Sequence, residues 1–382
     1  MKISEIKFFV FALFMALASC KKDKMASKTN TPAEAANQET GLYVLNAGNV
    51  SLGSTSGTLT YYNFVSKATV PDQYNAANGT ALGCSGNDIE IYGSKMYIVV
   101  TLLNAVDVVD AKTNKLIKQV SFVPNNWVNP APLPMQGKEP RYIAFYKGNA
   151  FVSCNDGTVT VIDTATLAIT KNIQVGANNF PQGLVVANGK LYIAAPGYEA
   201  DITNTVFAVD LITLSVTKTI TVIPDPENLV TDAYSNVYVT SAFTDDFNGG
   251  TLSTGGFTVI NSQADTARSE IPTTTGVFEY NMTAIPIAVT GDFVYYLAGQ
   301  NNKIAVFNAK TQTLVSSNFI ADGTSLIYPT AIAANAATGE IYITDAKDLT
   351  SNGSLYAFDK TGKLEYTLTT GINPVKIVLA GN

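Results

Sequence analysis

Short apolar runs separated by polar punctuation pattern the whole chain, and the rhythm is clearest from Pro181 to Val222. There LVV, LYIAA, VFAVD and VTKTITV are each only a few residues long and rich in β-branched side chains, as strands are. AsnGly at 188–189 separates the first two runs, and both residues tolerate the positive φ that a two-residue hairpin turn demands. The segment predicts a four-stranded antiparallel sheet.

The same unit recurs along the sequence. An aromatic marks the second strand at Tyr43, Tyr97, Phe151, Tyr192, Tyr238, Tyr295 and Tyr342. Asp or Asn closes the third strand at Asn63, Asp110, Asp163, Asp210, Asn261, Asn308 and Asp359, where its side chain can bond the backbone of the tight turn that follows. A spacing of about 40–55 residues is that of propeller blades. The first unit starts at its second strand, GLYVLN at 41–46, while the chain finishes with a first strand that has no unit of its own, NPVKIVLA at 373–380. Laid side by side, the two complete one blade. The expectation is an all-β, seven-bladed β-propeller of four-stranded antiparallel blades, residues 41–382, closed by its C-terminal strand.

Turns joining strand one to two and three to four are short, whereas connections from strand two to three and from blade to blade are long and varied. All the long connections fall on one rim, and a rigid scaffold that lengthens loops on one side only is presenting them for binding. Trp127, Tyr198, Phe243, Tyr280 and Tyr328 lie in or beside these connections, as do Tyr74 and Phe180. Glu139, Arg141, Gln182, Glu227 and Asn228 precede or begin inner strands and so border the channel mouth. The candidate ligand-binding set is Trp127, Arg141, Tyr198, Glu227, Phe243, Tyr280 and Tyr328. Flat rings among amides suit a large, partly apolar, amide-bearing ligand. Against this stands the simpler alternative that each aromatic plugs its own loop and that Arg141 and Glu139 satisfy each other.

Composition narrows the chemistry. The 382 residues include no His and only two Arg, Arg141 and Arg268. Without His the usual zinc sites and the Ser-His-Asp arrangement are closed, and two Arg cannot build the triple-arginine carboxylate grip of sialidase-like propellers. No catalytic residue, cofactor or metal site is expected; AspAspPheAsnGly at 245–249 lacks the full alternation of a calcium loop. A net charge of −6 and a pI near 4.8 leave no electrostatic footprint for nucleic acid.

At the N-terminus, Lys2 and Lys7 precede the apolar run Phe8–Ala18, which reads as the core of a signal peptide spanning residues 1–19. LeuAlaSerCys at 17–20 resembles a bacterial lipobox, so Cys20 would carry the lipid, and residues 20–40 would form a flexible tether. The expectation is an outer-membrane, lipid-anchored protein, with the cell surface favoured over the periplasmic side. Cys84 and Cys154 fall at the same rim of adjacent blades, as a disulfide or as two packed thiols.

With this strand pattern, its IleTyr and LeuTyr second strands and ThrValThrValIleAsp at 158–163, the chain resembles the seven-bladed YVTN propellers. GLYVLNAGN at 41, GNDIEIYGSKMY at 86 and TGEIYITDAKD at 338 look like Bacteroidetes lipoproteins of that group, which includes surface cobalamin-binding propellers. The resemblance implies capture of cobalamin or another corrinoid and its passage to a TonB-dependent outer-membrane transporter. The alternative function is an envelope protein- or glycan-interaction propeller without cobalamin binding.

Overall fold

A computed structural model describes residues 39–49, 56–125, 137–176, 179–197, 201–245, 251–270, 286–298 and 302–381. Residues 1–38, where the signal peptide, the lipidated Cys20 and most of the tether are expected, lie outside the described residues. The propeller belongs to the unit Gln38–Asn382. Among the described residues no helix is long and apolar enough to cross a membrane.

Seven four-stranded antiparallel sheets form the blades. Their innermost strands are, in blades 2 to 7, Gly86–Tyr92, Pro140–Tyr146, Leu184–Ala187, Pro226–Thr231, Ile287–Thr290 and Pro329–Ala334. Blade 1 is composite: the C-terminal strand Pro374–Gly381 lies innermost, followed by Glu39–Asn46, Thr58–Asn63 and the two-residue Thr69–Val70. Leu42 faces Leu379, Val44 faces Ile377 and Leu45 faces Lys376 across the seam. Each innermost strand packs on those of the two neighbouring blades, so the ring closes as the sequence predicts.

Strand composition follows position in the blade. The second strand of blade 2, Lys95–Val100, buries every residue after Lys95 because it is sandwiched between sheets, and so reads as a continuous apolar run. Its outermost strand, Leu116–Ser121, buries only Val120 and exposes Leu116 and Ile117 beside Lys118, Gln119 and Ser121, of which the charged Lys118 discourages edge-to-edge pairing. The second-strand aromatics Tyr97, Phe151, Tyr192, Tyr238 and Tyr342 are all fully buried. Tyr97 packs with Ile143, Ala150 and Val152 of the next blade, so the aromatic repeat is an inter-blade core, with each ring contributing about 2–3 kcal/mol of burial.

The Asp/Asn repeat does what its chemistry suggests. Asp163 Oδ1 accepts the N–H groups of Ala165 and Thr166 at 3.1 and 2.7 Å, Asp210 those of Ile212 and Thr213 at 3.0 and 2.7 Å, and Asn308 those of Lys310 and Thr311 at 2.9 and 2.8 Å. The same bonds form at Asn63, Asp110 and Asn261, while Asp359 Oδ1 accepts the N–H groups of Thr361 and Lys363.

The two rims differ, with qualifications to the expectation. Long connections, such as Val70 to Gly86, Ser121 to Pro140 and Ala195 to Thr205, are confined to one rim, yet Val100 to Ala105 and Cys154 to Thr158 on that same rim are short. In blade 5 the connection from strand two to three, expected to be a long loop, is largely ladder: Asn236–Asp245 and Thr251–Asn261 stay paired out to Asp245 and Thr251. Thr, Phe and Ser there are compatible with strand, and nothing in the segment breaks the pairing until its tip.

Two rim aromatics are plugs. Tyr74 sits in a short helix, Gln73–Asn78, capped by Asp72, and its buried hydroxyl donates to Asp107 Oδ2 at 2.7 Å. Phe180 is also buried. Cys84 and Cys154 are unbridged; the Cys154 thiol is buried, which pushes its pKa up to about 12.

Candidate functional site at the channel mouth

Pro140, Pro226, Pro329 and Pro374 open innermost strands, and Gly86 takes that place in blade 2. Proline fits a first strand position, where its missing N–H costs no ladder bond. A register shift follows at once, between Gly86 and Asp88, Pro140 and Ile143, Pro226 and Asn228, and Pro329 and Ala331. A bulge leaves its extra residue unpaired and re-aims the side chain. Asn87, Arg141, Glu227 and Thr330 occupy these bulges, and Gln182 holds the corresponding place before the strand of blade 4.

Their polar groups are stitched from blade to blade. Asn87 Nδ2 donates to the Arg141 carbonyl at 2.6 Å, and Arg141 Nε donates to Gln182 Oε1 at 2.9 Å. Gln182 Nε2 reaches Asn155 Oδ1 at 3.4 Å, and Asn155 Nδ2 donates to Glu139 Oε2 at 3.0 Å. Arg141 and Glu139 are thus joined through two amides and not directly, contrary to the simpler sequence alternative. The Gly183 N–H donates to the Glu227 carbonyl at 2.9 Å. Only glycine permits that approach, since a Cβ at 183 would stand 2.5 Å from this same oxygen.

Glu227 is the unusual member. Its Oε2 is enclosed and has no hydrogen-bond partner among the described residues. Burial first, and Asp225 second, push its pKa well above the ordinary carboxyl value, with Arg141 opposing them more weakly. The shift widens the pH range over which the carboxyl is protonated and can donate as well as accept.

One step deeper, Asp88, Glu90, Tyr142, Asn228 and Lys376 line a cavity of about 400 Å3 between the innermost strands. Lys376 Nζ lies 3.0 Å from Asp88 Oδ1 and 2.9 Å from Glu90 Oε1, and Asp88 Oδ2 accepts the Ile143 N–H at 2.9 Å. Burial works against the charge on Lys376, but the two carboxylates outweigh it and raise its pKa. Burial, assisted by Glu227 and Asp88 against Arg141, pushes Tyr142 up to about 12. The cavity thus carries fixed charge, amide and phenol groups within a few ångströms.

A family profile described as a domain of unknown function, DUF5074, matches residues 40–371, nearly the whole ring. The chain belongs to the DUF5074 family. No curated protein matches it. Among solved structures it is similar to a quinoprotein alcohol dehydrogenase-like protein from Bacteroides thetaiotaomicron, at 18% identity and TM-score 0.64, over 90% of this chain and 79% of that one. It is also similar to hydrazine synthase of Kuenenia stuttgartiensis, at 13% identity and TM-score 0.59, over 86% and 98% of the two chains. Apo AztD from Citrobacter koseri matches at 13% identity and TM-score 0.53, over 89% and 98%. At such identities the likeness is one of fold alone.

In this DUF5074 propeller the sequence-derived candidates divide. Arg141 and Glu227 meet at the mouth. Tyr328 lies half-buried just before Pro329, its N–H donating to Asp345 Oδ1 at 2.8 Å. Phe243 stands on the blade 5 hairpin opposite Thr254, by backbone register. Trp127, Tyr198 and Tyr280 lie outside the described residues. Asp88, Glu90, Tyr142 and Lys376 were missed, although a signal existed: Asp88 and Glu90 alternate with apolar residues in GNDIEIY, and Lys376 is the one polar residue of PVKIVLA.

Proposed function

We propose that this DUF5074 propeller is a non-catalytic binding protein that captures a ligand at the long-connection mouth of its channel. The observation that carries this reading is the polar cavity: packing alone would fill those positions with apolar side chains, yet the Lys376 ammonium and the Asp88 and Glu90 carboxylates line it as an ion-paired cluster. The orphaned Glu227 carboxyl at the rim supports it, because a buried polar group without a partner is costly unless something else supplies one. The low identity to dehydrogenase-like and hydrazine synthase folds brings no chemistry with it, and the reading assigns none.

The specific form implied by the sequence resemblance is a lipid-anchored outer-membrane protein that hands a corrinoid to a TonB-dependent transporter. A ring as broad as a corrin would lie across the rim, over Arg141 and Glu227, with only a peripheral amide entering the cavity. Titration with cyanocobalamin, followed by Trp127 fluorescence, tests this form, and silence at micromolar ligand removes it. The broader reading is tested by calorimetry against a panel of amide-bearing small molecules. Arg141→Met is expected to weaken whatever binds by tenfold or more; ligands bound equally well by wild type and Arg141→Met would place the site elsewhere.

A further inference from the structure

A second cavity lies away from this mouth. On the opposite rim, between blades 5 and 6, a cleft of about 510 Å3 is lined by Tyr234, Asn236, Asn261, Thr266, Arg268 and Lys310, with Val259, Ala267 and Ala309 as its apolar floor. Among the described residues two cations line it and no carboxylate does, in a chain whose net charge is −6 and which has only two Arg. The Tyr234 hydroxyl donates to Asp292 Oδ1. Asp232 is engaged by Tyr238 at 2.6 Å and by Asn236 Nδ2 at 2.9 Å.

The cations are placed differently. Arg268 is anchored across the blade boundary by Gln312, whose own amide donates to the Tyr238 hydroxyl at 3.2 Å. The Lys310 ammonium has no partner among the described residues, although its backbone is fixed by the Asn308 turn. Around them hydrogen-bonding capacity is left over. Asn261 spends its Oδ1 on the turn, leaving Nδ2; Asn236 spends Nδ2 on Asp232, leaving Oδ1; Thr266 keeps its hydroxyl. Tyr234 exposes 42% of its surface, enough to offer a flat face.

We propose that this cleft binds a negatively charged sugar residue. Arg268 and Lys310 would hold the acidic group, since a guanidinium matches the two oxygens of a carboxylate or sulfate. Separate donors and acceptors from Asn261, Asn236 and Thr266 suit neighbouring hydroxyls, and the Tyr234 ring suits the apolar face of a pyranose. The site is independent of the channel mouth.

Saturation-transfer NMR and calorimetry with glucuronic acid, glucose 6-sulfate, glucose, inorganic sulfate and tetraglutamate test the inference on the full chain. The expected result is binding of one or both charged sugars, with the carboxylate and sulfate arms telling the two acids apart, and none of glucose. Affinity should fall at least tenfold in Arg268→Met and in Lys310→Met, partly recover in Arg268→Lys, and stay unchanged in Arg141→Met. No binding of either charged sugar overturns the proposal. So does glucose binding equally well, or inorganic sulfate or tetraglutamate matching the sugars, the last marking an acidic peptide site.

Discussion

Single side chains at equivalent places in different blades give matched comparisons. Tyr192 and Tyr238 donate their hydroxyls to Asp265 and Asp232, whereas the fully buried Tyr97 hydroxyl has no partner among the described residues. Tyr97→Phe is therefore expected to stabilise the fold by about 1 kcal/mol, and Tyr192→Phe to destabilise it by about 1–2 kcal/mol, as read from urea unfolding. Opposite signs are required; the same sign for both would mean that the hydroxyls play no part. Glu227 gives a pH-dependent case. Its folded pKa is raised, so the stability it contributes is complete below the unfolded value of 4.5 and is lost as pH rises through the folded value. Glu227→Gln should thus be more stable than wild type at neutral pH, and the advantage should vanish near pH 4. The turn residues were legible because an Asp or Asn before a tight turn has one dominant use. The surroundings of Glu227 were not, because Gly183 and Arg141 come from other blades.

Strands and turns carry the next set of consequences. Asn fills the turn position at 63, 261 and 308, where it bonds the same backbone groups as Asp does elsewhere. Asp163→Asn should leave the urea midpoint nearly unchanged at neutral pH while Asp163→Ala lowers it. In the wild type those backbone bonds hold the Asp163 pKa low, so its contribution is present at neutral pH and lost as pH falls through that lowered value. The innermost C-terminal strand is pinned by Ile377, 5% exposed, and by Lys376. Ile377→Ala should cost about 2–4 kcal/mol, and loss of residues 374–382 should abolish cooperative unfolding, since it strips blade 1 of its inner strand. Pairing of the chain ends could be read from the sequence because each end lacked what the other had. The extended hairpin of blade 5 could not, since TSAFTD and TLSTGG carry strand and turn signals together.

At the level of the whole molecule, the ring sets what each rim can do. Closure gives blade 1 its innermost strand and brings seven strand starts to one opening, so residues scattered from Asn87 to Lys376 become neighbours. This is why Arg141 and Glu227 could be nominated from their place ahead of inner strands, while the ion pair of Lys376 with Asp88 and Glu90 emerged only once the last strand was laid beside blade 2. It also explains how proteins at 13–18% identity share the architecture: the repeat needs apolar alternation and turn chemistry, and leaves rim and channel residues free to differ. Both proposed sites depend on a ring sealed by its ends. Native-state hydrogen exchange tests that seal most directly. The hydrogen-bonded amides of Leu42–Leu45 and Ile377–Leu379 should exchange only by global unfolding, at the rate of those in Lys95–Val100 and Lys190–Ala195. Exchange as fast as in the outermost strand Leu116–Ser121 would show an open seam and contradict the account.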